Sequence, residues 1–295
     1  RADIGNYTED DLTRFSEHIG QESPLVELAF QRRPWRIVWA RREDGSLVGF
    51  TYDRDQDVLA WHQHPLGGTN AKVLAMACIP GVGQDELWLA VERTINGVTR
   101  RYVEVLGDEQ LLGQSDARDF CYLDCSLTYD GTEVAAGDRL FGLEHLVGET
   151  VQLLVDGATH PPVTVAAPGT ITLERAASTV HAGYHYNSLY ESVPIEGGNP
   201  SGSSAGRPKT LHHLTLVLIE TIGGRAGPSE ATTELMPAMR GGDAMDAPPV
   251  LRSGKVKVGW RGKIEDDALP LVVLQDLPFP MTLAGAVPSY SVNEA

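Results

Sequence analysis

PWRIVWA at 34–40, SLVGFTY at 46–52, DVLAWHQH at 57–64, AKVLAMACI at 71–79, ELWLAVER at 86–93 and GVTRRYVEVL at 97–106 follow one another with only short turns between them. Aromatic and β-branched residues fill these runs. Gly, Pro, Asn and Asp fill the gaps, at EDG, DRDQ, PLGG, PGVGQD and Asn96-Gly97. A strand about every ten to twelve residues, with no helical period between, is the pattern of an antiparallel all-β meander. Asp44-Gly45 and Asn96-Gly97 are the strongest hairpin signals, because a type I′ turn needs positive φ at both central residues. Both faces of the first two runs are partly apolar, as expected where sheet stacks on sheet.

Before the meander, Leu12, Phe15 and Ile19 recur at helical spacing, and the sequence predicts helix within Ile4–Phe30. Thr8 and Asp11 resemble a capping box, Gly20 is a stop, and Pro24 opens a second short helix at 23–30. After it, the polar stretch 107–119 marks a boundary. Shorter strands follow from 120 to about 185, at FCYLDCSLTY, TVQLLVDG, PVTVAA, TITLER and STVHAGYHY, with GLEHLVGE (142–149) as a single helical turn. Asp156-Gly157 and Pro168-Gly169 supply turns. The remainder holds LHHLTLVLIET (211–221), KVKVGWRG (255–262) and LPLVVLQDLPFPMTLAGAV (269–287), the last an edge strand because of Pro278 and Pro280. Gly/Pro-rich connections run over 196–208, a mobile loop, and 223–249. The expected architecture is mainly β. Antiparallel meander or propeller-like sheets occupy 1–119, a small inserted β-barrel-like domain 120–185, and a β region returning to the main body 186–295. One or two short helices stand at the N-terminus.

The chain has 295 residues, 42% of them hydrophobic, and a mean hydropathy of −0.17, which is an ordinary globular composition. Forty acidic against twenty-four basic residues give a net charge of −16. Such a surface repels phosphate and argues against sequence-reading contact with nucleic acid. Three cysteines make no disulfide framework and point to a reducing compartment. No apolar run approaches the ~20 residues of a membrane-spanning helix. The chain opens on Arg1 and shows no leader, which points to processing, trimming or a piece of something longer.

Candidate chemistry is sparse. Cys121 and Cys125 would share one face of a strand, roughly 13 Å apart, too far for a disulfide and without a second ligand pair for a metal. His181 and His185 share a face on the same logic and stand too far apart to chelate. His212 and His213 point oppositely. His62 and His64 flank Gln63 on one face and read as surface or interface histidines. GSSAGRPKT (202–210) lacks the Gly-Lys-Ser/Thr of a phosphate loop, and Pro208 removes a donor. No G-x-S-x-G nucleophile elbow is expected, although GSSAG at 202–206 fits its letters, and HExxH is absent from the sequence. Asn6-Tyr7-Thr8 fits a glycosylation sequon, in a chain without signs of secretion. Trp35, Trp39, Trp61 and Trp88 fall in successive strands and read as filler between sheets before they read as a sugar platform. The expectation is no catalytic, cofactor-binding or metal residues, no cofactor and no enzymatic activity.

Several stretches resemble the nozzle, or tail tubular protein B, family of short-tailed bacteriophages. They are DLT…EH at Asp11–His18, PW-x3-W followed by DGSLVGFTYDRDQDVLAWHQH within Pro34–His64, and R-x3-G-x4-YVE at Arg93–Glu104. FCYLDCSLTYDG, GLEHLVGETVQLLVDG and TVHAGYHYNSLYESVP resemble the small inserted domain likened to a half-domain of ubiquitin-activating enzymes, a likeness of fold that carries no ubiquitin chemistry. LRSGKVKVGWRG and LQDLPFPMTLAGAVPSY are similar to the family's closing strands. The resemblance implies a structural virion protein, assembled in the host cytoplasm. It implies a six-fold ring in the tail, beside adaptor and fibre proteins, through which DNA leaves without being read. It also implies a longer region before the Asp11–His18 segment, holding earlier blades. Carbohydrate or receptor binding, and polysaccharide hydrolysis by paired carboxylates, are the rival functions.

Overall fold

A computed structural model describes residues 2–3, 6–7, 11–107, 116–131, 135–196, 198–199, 202–204, 206–259, 265–266 and 270–292. The chain is mainly β, built from antiparallel sheets, and divides into two compact units, Arg1–Asp108 and Glu109–Ala295. No helix among the described residues is long and apolar enough to cross a membrane.

Beyond a two-residue pairing of Ala2–Asp3 with Asn6–Tyr7, the described part of the first unit holds seven strands: β1 (Leu25–Gln31), β2 (Ile37–Arg42), β3 (Leu47–Asp53), β4 (Val58–His64), β5 (Thr69–Pro80), β6 (Asp85–Ile95) and β7 (Val98–Val105). β1 to β4 form one sheet in sequence order, and β5 to β7 a second. Alternation along β6 decides how the sheets meet. Leu87, Leu89 and Val91 point inward and join Trp39, Leu47, Val73 and Met76 in a shared core between the two sheets. Trp88, Ala90 and Glu92 point the other way. This alternation is the direct consequence of the two-residue period of a strand.

The expected N-terminal helices are mostly overturned. The helix is a single turn, α1 (His18–Gln21), and 25–31 is strand β1. Of the three residues that gave the helical spacing, Ile19 is buried against Ala40 and Val48, whereas Phe15 is 94% exposed. The run LVELAFQ also alternates with period two. Glu27, Ala29 and Gln31 face one way, a register break between Leu25 and Glu27 turns Leu25 to the other side beside Ile19 and Val48, and Glu27 reaches across the ladder to Arg41 at 2.9 Å. Cross-strand pairing outweighs the weak helical preference of so short a segment. The Thr8 half of the capping box lies outside the described residues.

The turns separate into two types. Asn96-Gly97 and Asp156-Gly157 both have positive φ at each residue and close two-residue hairpins. At Asp44-Gly45 only the glycine is left-handed. Gly45 N–H donates to the Arg42 carbonyl, so the turn is a three-residue loop with a bulge at Gly45 rather than type I′.

In the second unit, β8 (Asp124–Asp130), β9 (Gly137–Leu140), β10 (Thr150–Val155), β11 (Ala158–Thr164), β12 (Ile171–Ala177) and β13 (Thr179–Tyr184) pair only among themselves. β8-β13-β10-β11 make a four-stranded sheet and β9-β12 a two-stranded one; no closed barrel forms among the described residues. The helical turn expected at 142–149 is a short 3-10 turn at Glu144–Leu146.

Strands β14 (Ser188–Glu191), β15 (Lys209–Thr221), β16 (Arg225–Ser229), β17 (Thr232–Leu235), β18 (Arg252–Gly259), β19 (Val272–Gln275) and β20 (Thr282–Val292) complete the unit. β15 is its spine. It pairs with β18 on one side and β20 on the other, and its Leu211, Leu214, Leu216 and Leu218 fill a core with Ala226, Met236 and Val273. The run 269–287, expected as one edge strand, is two: β19 is paired on both sides, with β14 and β16, and only β20, which pairs with β15 alone among the described residues, is an edge. The connection expected at 223–249 contains the hairpin β16–β17. Its sequence hides it, because Pro228 lacks a donor and Gly227 sits where any Cβ would overlap the Thr232 carbonyl. Within 196–208, Gly198–Asn199 pairs with Gly202–Ser203, and residues 197, 200, 201 and 205 lie outside the described residues. Ala117, Leu154, Ile222 and Phe279 join the 124–184 sheets to the C-terminal strands in one apolar cluster.

Candidate functional site

The first constellation surrounds Trp39. Its indole is 2% exposed, and its N–H donates to Gln31 Oε1 at 2.7 Å. His62 and His64, on one face of β4, stand edge-on to the ring at centroid distances of 6.0 and 4.7 Å. His62 Nδ1 lies 2.6 Å from His64 Nε2, and His62 Nε2 lies 3.0 Å from the Thr51 hydroxyl. A 2.6 Å contact between two ring nitrogens needs one N–H and one lone pair, so at most one of the two rings is cationic. Burial, aided by the His62 charge, pushes His64 down to about 3, and burial also lowers His62. Gly49 leaves the space that the His62 ring occupies. These half-buried histidines, read from sequence as surface or interface groups, are packing groups against Trp39. No group of three metal-ligating side chains exists among the described residues.

The four tryptophans do not make one platform. Trp39 lies between the sheets. Trp61 belongs to the opposite face of its sheet, beside Ile19 and Val48, with its N–H on the Leu12 carbonyl at 3.0 Å. Trp35 and Trp88 are exposed, at 54% and 36%.

Trp88 centres the second feature, the outer face of β5-β6-β7. Register places Ala77, Trp88 and Val105 in one cross-strand row and Ala75, Ala90 and Val103 in the next. Ile79 extends the face, Val103 is 73% exposed, and the Glu92–Arg101 ion pair at 2.8 Å borders it. Cross-strand apolar rows of this kind normally face another layer. Val26, Leu28 and Phe30 form a shorter exposed apolar row on β1.

The third feature lies in the second unit. Cys121 and Cys125 do not share a strand face. β8 begins only at Asp124, and Cys125 has φ +50 at a register break between Asp124 and Leu127. The bulge turns Ser126 back so that its hydroxyl lies 3.3 Å from Cys121 Sγ. The Leu123 N–H and the His181 ring also reach that sulfur. His181, 5% exposed on β13, is held at both nitrogens, by the Thr128 hydroxyl at 2.7 Å and the Arg118 carbonyl at 2.7 Å. Burial depresses His181, but the Cys121 contact, the Arg118 carbonyl and the charges of Cys121 and Asp119 outweigh it and raise its pKa. Burial opposes the Cys121 thiolate, yet His181, Ser126 and the Leu123 N–H lower its pKa on balance. His185 lies past the end of β13 and pairs with Asn187 at 2.6 Å, so it does not join His181. The Cys121–His181 contact was not foreseen. The two residues are sixty apart in sequence, and only the bulge at Cys125 brings the sulfur to β13.

Other candidates dissolve into structure. Lys209 of the rejected phosphate loop is fully buried at the start of β15 and pairs with Glu196 at 3.6 Å. His212 is exposed and His213 half-buried, at a register break in β15 between Leu211 and His213. Asp85, through the Arg32 N–H, and Asp243, through Arg252, are held below the usual carboxylate range, the reverse of a general acid. A concavity of about 50 Å³ beside Leu218, Met236, Arg252 and Val256 is far too small for a sugar ring. No family model matches the chain, and no curated protein matches it.

Proposed function

We propose that the chain is a structural subunit of the tail of a short-tailed bacteriophage, of the nozzle kind, assembling in copies around a passage for DNA. The observation that carries this reading is the outer face of β5-β6-β7, where Trp88, Val103, Val105 and Ile79 stand in solvent on a rigid sheet. A monomer gains nothing from such a face, whereas a subunit buried on several sides needs it. The residues of the nozzle-like pattern, from Pro34 to His64 and from Arg93 to Glu104, supply β2 to β4 of the first sheet and nearly all of β7 in the second. The excess of forty acids over twenty-four bases suits a conduit to which DNA does not adhere. In this reading the protein resides in the virion, forms a six-fold ring, and touches adaptor and fibre proteins.

The test is a charge placed on the face. Trp88→Lys and Val103→Lys leave the inner core untouched, so each folds, and each is expected to abolish assembly into tail particles. Incorporation of both variants at wild-type levels would contradict the reading. Exposed Trp35 and Trp88 favour a second reading, a carbohydrate- or receptor-binding tail module. That reading requires saturable quenching of their fluorescence by a surface polysaccharide.

A further inference from the structure

We infer that one end of the first unit is a bilayer-contact surface. There Trp35, Val58, Leu59 and Val82 enter the interface of a membrane containing anionic lipid, and neighbouring arginines reach its phosphates. The surface stands apart from the Trp88 face and does not rest on the tail reading. Strands β1 and β3 run toward this end and β2 and β4 leave from it, so the turns at 32–36 and 54–57 lie side by side. Arg36 joins them: its carbonyl accepts from the Tyr52 N–H at 2.9 Å, and its guanidinium lies 3.9 Å from Asp55. The β5–β6 turn at 81–84 adjoins the first. The Arg33 carbonyl accepts from the Asp85 N–H at 3.1 Å. The Asp85 carboxylate accepts from the Arg32 N–H at 2.7 Å and stands 3.6 Å from the Arg33 guanidinium. Three turns from two sheets thus share one rim.

Apolar residues crown that rim. Val82, between Gly81 and Gly83 at the hairpin tip, is 106% exposed, and Leu59 and Val58 are 55% and 40% exposed. Turn tips ordinarily carry Gly, Pro, Asn, Asp and Ser. A lone exposed apolar residue would mean little, but here each of the three turns bears or adjoins one. They stand on separate tips, unlike the flat cross-strand rows around Trp88. A flat row suits another sheet, whereas separate tips sink into a soft phase. Tryptophan in particular favours the bilayer interface, where its ring meets hydrocarbon and its N–H stays wet.

The charges name the kind of membrane. Arg32, Arg33, Arg36 and Arg54 are exposed at this end. Asp53, Asp55, Asp57 and Asp85 share it, and two of these are turned to local bonds. Asp85 is held by Arg32 and Arg33, and Asp53 accepts from the N–H groups of Asp55 and Gln56 at 3.0 and 3.3 Å. The end is therefore neutral in a chain of net charge −16, so an anionic surface is not repelled there. Arginine stems lie along apolar surface while their forks meet lipid phosphates. Nucleic acid would use the arginines and stack a base on Trp35, but it would leave Val58, Leu59 and Val82 in water, which sets lipid above it.

The test sediments the whole chain with vesicles of phosphatidylcholine, alone or mixed with phosphatidylglycerol. The wild type is expected to bind both, the mixed vesicles more tightly, by a margin that shrinks as salt is added. Brominated lipid should quench its tryptophan emission, and Trp35→Phe should remove most of that quenching while the vesicles stay bound. Leu59→Asp combined with Val82→Asp is expected to weaken binding at least about tenfold. Should that pair not fold, Val82→Asp alone, at a fully exposed tip, reads the same loss. Arg32→Glu with Arg54→Glu should cancel the preference for mixed vesicles. Trp88→Lys should bind as the wild type does, which separates this surface from the assembly face. No binding to either vesicle, undiminished binding by the folded aspartate variants, or capture of single-stranded DNA in place of vesicles would overturn the inference.

Discussion

The histidines of the two units face opposite ways in energy. His64, sealed under Trp39 with a second imidazole beside it, is pushed toward the neutral form. His181 is buried as well, yet a carbonyl, a thiol and Asp119 favour its cationic form. Burial alone therefore does not set the behaviour of an imidazole. The charge and hydrogen-bonding sense of its neighbours does. In the first unit the outcome is a packing device, and in the second a thiol beside a base.

The comparison breaks most easily at Trp39. Trp39→Ala removes the indole from the core between the sheets and from both imidazoles, and is expected to cost about 3–5 kcal/mol in denaturant unfolding. If the loss stays within about 1 kcal/mol, the His62–His64–Trp39 cluster is not what holds the sheets together.

Acid gives the next largest effect. The folded value of His64, about 3, lies below its unfolded value of about 6.5. Its contribution to stability is complete above pH 6.5 and is lost as pH falls from there toward 3, amounting to a few kcal/mol. Denaturation midpoints across that window should fall in the wild type and fall less in His64→Phe. Parallel curves would show that the buried pair is not the acid-sensitive element.

His181 gives the smallest effect, and of opposite sign. Its folded value is raised above the unfolded one, so its contribution is present below pH 6.5 and is lost as pH rises through the folded value. Imidazole proton resonances should show His181 titrating above His62 and His64. A His181 resonance that titrates below about 6.5 would reverse the comparison.

Much of the scaffold was legible in sequence because its signals are local. Alternating apolar runs gave six of the seven strands in the first unit, and Asn96-Gly97 supplied the left-handed pair that a two-residue turn demands. β1 escaped because Pro24 reads as the opening residue of a helix, and its partner Arg41 is distant in sequence. β16–β17 escaped because Gly227 and Pro228 read as loop, although the close approach of Thr232 requires that glycine. The candidate sites were less legible than the fold. His62 and His64 looked exposed on a single strand, and only stacking against the second sheet buries them with Trp39. Cys121 meets His181 through a register break at Cys125, which no spacing rule announces.

The central claim is that the solvent-facing sheet around Trp88 joins copies of this chain around an opening. Molar mass in solution, by light scattering over a range of concentrations, tests it most directly. A closed ring at an integral multiple of 31.9 kDa, reduced to the single chain by Trp88→Lys, is the expected result. A wild-type protein that remains at 31.9 kDa at every concentration would contradict it.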